Sequence, residues 1–236
     1  MGLFDFFYSD DTKIQKNQRR LTNRDAQPED REASARWLAD NGTPKALLAL
    51  LSRFDLALDH QLKDSGEKDL AYSLLAGKGD SAIEATRAWL KTCKQVALPL
   101  RLYEELAGRE KAVELAMELL EAERKRDDFK PDKKKRLLVW LSDQRHPGAC
   151  AAAAPFLADF DEGVRYAAAE VLAAQDDSAA QEPLLQALIR PDEESNRVRV
   201  RIADVFANRR WQVDPARVAD RLPNGYAVRD NRIVGA

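Results

Sequence analysis

The sequence predicts an all-α fold, an α-solenoid of about five to six helical hairpins closed by a short C-terminal β-hairpin. Three observations carry this. Alanine and leucine recur along a chain that is 33% charged and only 7% aromatic, the balance of helices with solvated outer faces. Apolar residues return at the 3.6-residue helical period in segment after segment. The periodic segments come in pairs, split by short breaks and spaced at a near-repeating interval.

Residues 1–27 form an aromatic start and a capping helix. Leu3, Phe4, Phe6, Phe7 and Tyr8 cluster, and Ile14 and Leu21 then supply a thin helical stripe. We read the aromatics as a cap on the first hairpin. The alternative is membrane contact through Phe4, Phe6 and Phe7, at roughly 2 kcal/mol each and therefore marginal. Asp5, Asp10 and Asp11 oppose anionic lipid. Phe6 stands where an N-myristoylation motif needs serine or threonine, which excludes that modification.

Residues 28–209 carry the repeats. Segment 28–54 breaks at Asn41-Gly42, 67–94 at residues 77–79, 98–124 at Gly108, and 132–159 at residues 146–148. The clearest unit is 160–189. Val164, Ala167, Ala168, Val171 and Leu172 share one helical face, Asp176-Asp177-Ser178 interrupts, and Leu184, Leu185, Leu188 and Ile189 form a second stripe with Pro183 in its first turn. Leu38, Leu75, Leu106, Leu141 and Leu172 occupy comparable first-helix positions. A last helix, 195–209, carries Val198, Ile202, Val205 and Phe206. Trp37, Trp89 and Trp140 each stand beside one of the repeat leucines or its counterpart Leu90, where core packing is expected; Trp211 lies outside any helical pattern and is a candidate surface contact.

Residues 210–236 form a C-terminal cap. Leu222-Pro223-Asn224-Gly225 ends helical periodicity, and Tyr226, Val228, Ile233 and Val234 flank Asp230-Asn231 as a β-hairpin does.

Chemistry is sparse. His60 and His146 are the only histidines, and Cys93 and Cys150 are far apart without metal-ligand spacing. GxSxG, HExxH and GxxxxGK[ST] are absent. Asp127-Asp128 and Asp192-Glu193-Glu194 fall in loops and read as solvated charge. We expect no catalytic residue, metal or cofactor. No apolar run is long enough to span a bilayer and the start lacks a secretory pattern, so a cytoplasmic location is expected. Charge is uneven: residues 197–236 hold nine arginines and four aspartates in a chain of formal net charge −2.

The stretch DEGVRYAAAEVLAAQDDSAAQEPLLQAL resembles the HEAT-like repeat of phycobilisome-linker lyases, found in many bacterial proteins. The resemblance implies an α-α superhelix whose second helices line the concave side. It also implies that an aspartate before the first helix and an arginine within it link neighbouring repeats; Asp161 and Arg165 hold those places. The implied function is a non-catalytic scaffold or adaptor that meets a protein partner through its concave or terminal surfaces. Candidate contacts on second helices are Arg87, Lys91, Glu114, Glu118 and Glu121, with Trp211 beyond them. Nucleic-acid binding is the alternative, through basic runs 130–136 and 197–210, with Lys133, Lys134, Lys135, Arg136, Arg199, Arg201, Arg209 and Arg210 neutralising phosphates. A lyase or DNA glycosylase activity, known in some HEAT-like proteins, is a second alternative.

Overall fold

A computed structural model describes residues 9–126, 130–175, 178–218 and 220–235. The chain divides into two compact units, residues 1–115 and 116–236, and the division falls within a helix.

The first unit opens with α1 (Asp10–Leu21), whose Ser9 hydroxyl accepts from the Thr12 N–H while Asp10 and Asp11 occupy the first turn and Arg19 and Arg20 the last. Both charge biases complement the helix dipole. α2 (Pro28–Asn41) starts on a proline that needs no N–H donor and stops at Gly42, whose φ of 64° is the left-handed C-cap glycine adopts without strain. Thr43 then caps α3 (Pro44–Leu51), which ends in a 3-10 turn, Ser52–Asp55. α4 (Gln61–Ala76), α5 (Asp80–Thr92) and α6 (Ala97–Ala107) follow, and Gly108 leads into α7 (Arg109–Arg124).

Packing sorts these helices into two layers. First helices meet first helices, α2 on α4 and α4 on α6, while α3 lies on α5. Neither stripe of a hairpin can be buried by the hairpin alone, so neighbours supply the core. Leu38, Leu47, Leu50, Leu51, Phe54 and Leu75 form its centre, all at 1% exposure or less. Each such leucine contributes about 1.5–3 kcal/mol through burial. Trp37 and Trp89 pack against this core but remain partly exposed. The core place beside each tryptophan belongs to its neighbouring leucine, Leu38 or Leu90. In α6 the fully buried residue is Leu102, one turn ahead of the expected Leu106, which is only partly buried.

The second unit takes up the end of α7 and continues through α8 (Pro131–Ser142), α9 (Ala149–Ala153) with a 3-10 continuation Ala154–Ala158, α10 (Glu162–Ala174), α11 (Gln181–Ile189) and α12 (Asn196–Arg209). The layering recurs: α8 packs on α10 and α10 on α12, while the 3-10 segment packs on α11. Val164, Ala167, Ala168, Val171 and Leu172 are all buried, as are Val198, Ile202, Val205 and Phe206. Trp140, like the other helical tryptophans, is half-buried beside a fully buried leucine, Leu141.

A short α13 (Pro215–Val218) precedes the hairpin β1 (Tyr226–Arg229) and β2 (Arg232–Gly235). Their register pairs Tyr226 with Gly235 and Arg229 with Arg232. Ile233 is buried where β2 lies on α12. The Tyr226 hydroxyl donates to the Asp204 carboxylate on α12. That hydrogen bond, with burial, pushes the phenol up to about 12.

Candidate partner-binding groove

The second-helix layer of the second unit is thin between residues 149 and 158. α9 runs for five residues and then tightens, because Pro155 has no N–H to continue the α-helical ladder. Small side chains, five alanines and Cys150, fill the first six positions of this stretch, 149–154. Between it and α11 they leave an open groove of about 520 Å³, lined by Ala154, Leu157 and Ala158 on one side and Pro183, Ala187 and Arg190 on the other. Leu157 and Ala187 are buried and form its floor. The result is a mainly apolar trough, with Gln186 on its α11 side and the Arg190 guanidinium at one end.

That end is held by a buried ionic cluster. Arg190 donates to the Leu157 carbonyl at 2.9 Å and to Glu193 at 2.9 Å. Arg165 reaches the same carboxylate from α10 through two bonds, 2.7 and 2.8 Å, and also donates to the carbonyls of Asp159 and Phe160. The Ser195 N–H adds a fourth donor at 2.9 Å. Burial alone would raise the Glu193 carboxyl; the Arg165 hydrogen bonds, the Ser195 N–H and the charges of both arginines outweigh it and hold the group below its ordinary value. Glu193 is therefore a buried anchor, whereas its sequence context reads as a solvated acidic loop. Asp161 caps α10 by accepting from the Val164 N–H at 2.9 Å, and Arg165 joins its repeat to the loop before α12.

A neutral latch holds the neighbouring loop. The Gln175 side chain donates to the Gln144 carbonyl at 2.8 Å and accepts from the His146 N–H at 3.0 Å. Gln175 is buried, and nothing in the sequence marked it.

The proposed contact residues are distributed differently. Arg87 and Lys91 stand one turn apart on α5, half-buried and exposed respectively, and Glu114 and Glu118 are exposed along α7. Glu121, also on α7, is engaged by Arg124 at 2.7 Å and Lys125 at 3.2 Å. Hydrogen bonds from Arg124 and Lys125 lower its carboxyl to about 2. Trp211 packs edge-on to Phe206, centroids 5.2 Å apart, under the Arg209 guanidinium. It lies over the end of α12 as a partly buried cover.

The basic runs are largely engaged within the fold. Lys133 and Lys134 are buried, paired with Glu123 at 3.5 Å and Asp159 at 3.0 Å. Lys135 and Arg136 are half-buried, the former with its stem against Gly163. Arg201 forms a two-bond pair with Glu170, Arg209 donates to the Ala173 carbonyl, and Arg199 is half-buried. Arg210 is exposed. A row of lysines on a helix points to several sides of it, so adjacency in sequence does not make a patch. Phe4, Phe6 and Phe7, Asp127-Asp128 and Asp176-Asp177 lie outside the described residues. Among the described residues no three His, Cys, Asp or Glu side chains gather as a metal ion requires, and no helix is long and apolar enough to cross a membrane.

Residues 164–190 match the family model described as the PBS lyase HEAT-like repeat. The chain carries a HEAT-like repeat. That repeat is the α10–α11 hairpin, which supplies both Arg165 and one wall of the groove. The layered pairing of α2 to α6 and of α8 to α12 fits the α-solenoid expected of such a repeat. No curated protein matches the sequence.

Proposed function

We propose that this HEAT-like repeat protein is a non-catalytic cytoplasmic scaffold that holds a protein partner, and that the groove between residues 154–158 and α11 is its principal contact. The observation that carries this reading is the groove itself: an apolar floor, open to solvent, on the second-helix layer, with Arg190 fixed at one end. Apolar side chains of a partner suit such a trough, since removing its surface from water contributes roughly 25 cal/mol per Å². The mixed signs of Arg87, Lys91, Glu114 and Glu118 also favour a protein surface over a phosphate backbone. The engagement of Lys133, Lys134, Arg201 and Arg209 within the fold weighs against the nucleic-acid alternative.

Ala158 is exposed at the groove wall, so Ala158→Trp fills the trough without disturbing its floor. With a photo-crosslinking residue at position 158, a discrete protein adduct is expected in cells, and its isolated counterpart should bind wild type but not Ala158→Trp. A partner that binds both equally, or no adduct at position 158, overturns the reading; unchanged thermal unfolding of the variant guards against misfolding as the cause.

A further inference from the structure

The C-terminal hairpin has two faces, and only one serves the fold. Asp230 and Asn231 both have positive φ, 50° and 58°, the signature of a two-residue type I′ turn. With that register, Tyr226, Val228 and Ile233 point to α12, as the burial of Ile233 and the Tyr226–Asp204 bond show. Arg229 and Arg232 sit directly opposite each other on the other face, both exposed.

Like charges directly opposite destabilise a strand pair, and a lone two-stranded hairpin is already marginal. Among the described residues neither guanidinium has an ion-pair partner, in contrast to Arg165, Arg190, Arg201 and Arg217. Asp230, in the turn, is the adjacent acid in sequence. On the far side of β2, Gln212 pairs with Arg232 and the Val213 N–H donates to the Asn231 carbonyl at 2.8 Å. β2 is therefore flanked on both edges. β1 is not: among the described residues no strand covers its outer edge, where the pairing alternation directs the Val228 N–H and C=O.

We propose that this edge and face are a docking site for an extended acidic peptide segment of a partner protein, which adds to β1 as a further strand and sets its carboxylates against Arg229 and Arg232. Backbone pairing would supply affinity and the arginines the choice of side chain. A strand added to β1 lies about 4.8 Å from β1 and about twice that from β2, so a glutamate in register with Arg229 meets it directly and reaches Arg232 through the combined length of the two side chains. The patch is too small for nucleic acid, which needs many neutralised phosphates. The site is separate from the groove and does not depend on it.

Fluorescence anisotropy on the full chain tests this with a labelled peptide of alternating glutamate and valine. Its arms are the same peptide N-methylated along one edge, and oligothymidylate of equal charge. Saturable binding of the peptide is expected, roughly tenfold weaker for Arg229→Gln/Arg232→Gln, abolished by N-methylation and unchanged by Ala158→Trp. The double variant relieves the repulsion, so its melting temperature should not fall. No saturable binding, equal binding by the double variant or the N-methylated peptide, or tighter binding of oligothymidylate would each overturn the proposal.

Discussion

The two units solve one problem with different materials. In the first, Glu67 lies on α4 and receives Arg31 from α2, at 2.7 and 2.9 Å, and Arg53 from the turn after α3, at 3.0 Å. Arg31 also donates to carbonyls before α2, Ala26 among them, and Arg53 pairs with Asp64 at 2.9 Å. In the second, Glu193 lies in a loop and receives Arg165 from α10 and Arg190 from the end of α11. Each cluster joins an arginine on a first helix, an arginine after the second helix and an acid from the following element. The sequence intervals differ, 36 residues from Arg31 to Glu67 and 28 from Arg165 to Glu193. The place in the repeat is shared and the spacing is not. Depth differs as well, in opposite senses for the two charges: the Arg53 and Arg31 side chains are 0% and 4% exposed against 11% for Arg165 and 22% for Arg190, while Glu67 is 14% exposed and Glu193 0%.

The depth of the arginines left behind should decide which acid is costlier to remove, because a buried charge stripped of its partner cannot recover hydration. Glu67→Ala is expected to destabilise the protein by about 4 kcal/mol and Glu193→Ala by about 3 kcal/mol, read from urea denaturation. Equal or reversed values would show that burial is not what separates the clusters. Acid should weaken both. Burial would raise Glu67, but hydrogen bonds from Arg31 and the charges of both arginines hold it below its ordinary 4.5, as happens at Glu193. A depressed carboxyl contributes stability fully above the unfolded-state value and loses it as pH falls through the folded-state value. The urea midpoint should thus fall below pH 4.5, and less steeply in either alanine variant.

Side-chain latches on loops extend the comparison, a carboxylate in the first unit and an amide in the second. In the first unit, Asp55 accepts from the Gln95 N–H at 3.0 Å; in the second, Gln175 holds residues 144 and 146. Gln175→Ala removes the donor to the Gln144 carbonyl and the acceptor of the part-buried His146 N–H and should cost about 2 kcal/mol, with faster amide exchange at His146. Trp140→Ala should cost about 1.5 kcal/mol, less than Leu141→Ala, since half-burial reduces both transfer and cavity terms. A larger loss at Trp140 would restore it to the core.

What the sequence disclosed was local. Gly42, Gly108, Pro28, Pro44 and Pro131 mark helix ends through their own backbone chemistry, and the apolar period names the faces of α10 and α12. The two-residue turn at Asp230-Asn231 was legible for the same reason. What it hid was pairing at a distance. Glu193 is flanked by Asp192 and Glu194, and nothing local distinguishes the one acid that meets two arginines. Lys133 and Lys134 look like half of a basic patch until the helix turns them inward. Leu102 and Leu106 both fit the helical period, and only packing chooses between them. The groove did leave a trace, the run of small residues from 149 to 154, five alanines and Cys150, before Pro155 and too small to fill the space beside α11.

The split ownership of the Glu193 cluster changes what counts as a module. A segment cut at Ile189, where the second helix closes, would carry Arg165 away from its acid. Moved as 160–195 instead, it takes the carboxylate and the Ser195 amide with it. Recombination, truncation or transplantation of this repeat should therefore respect a boundary one loop downstream of the last helical turn.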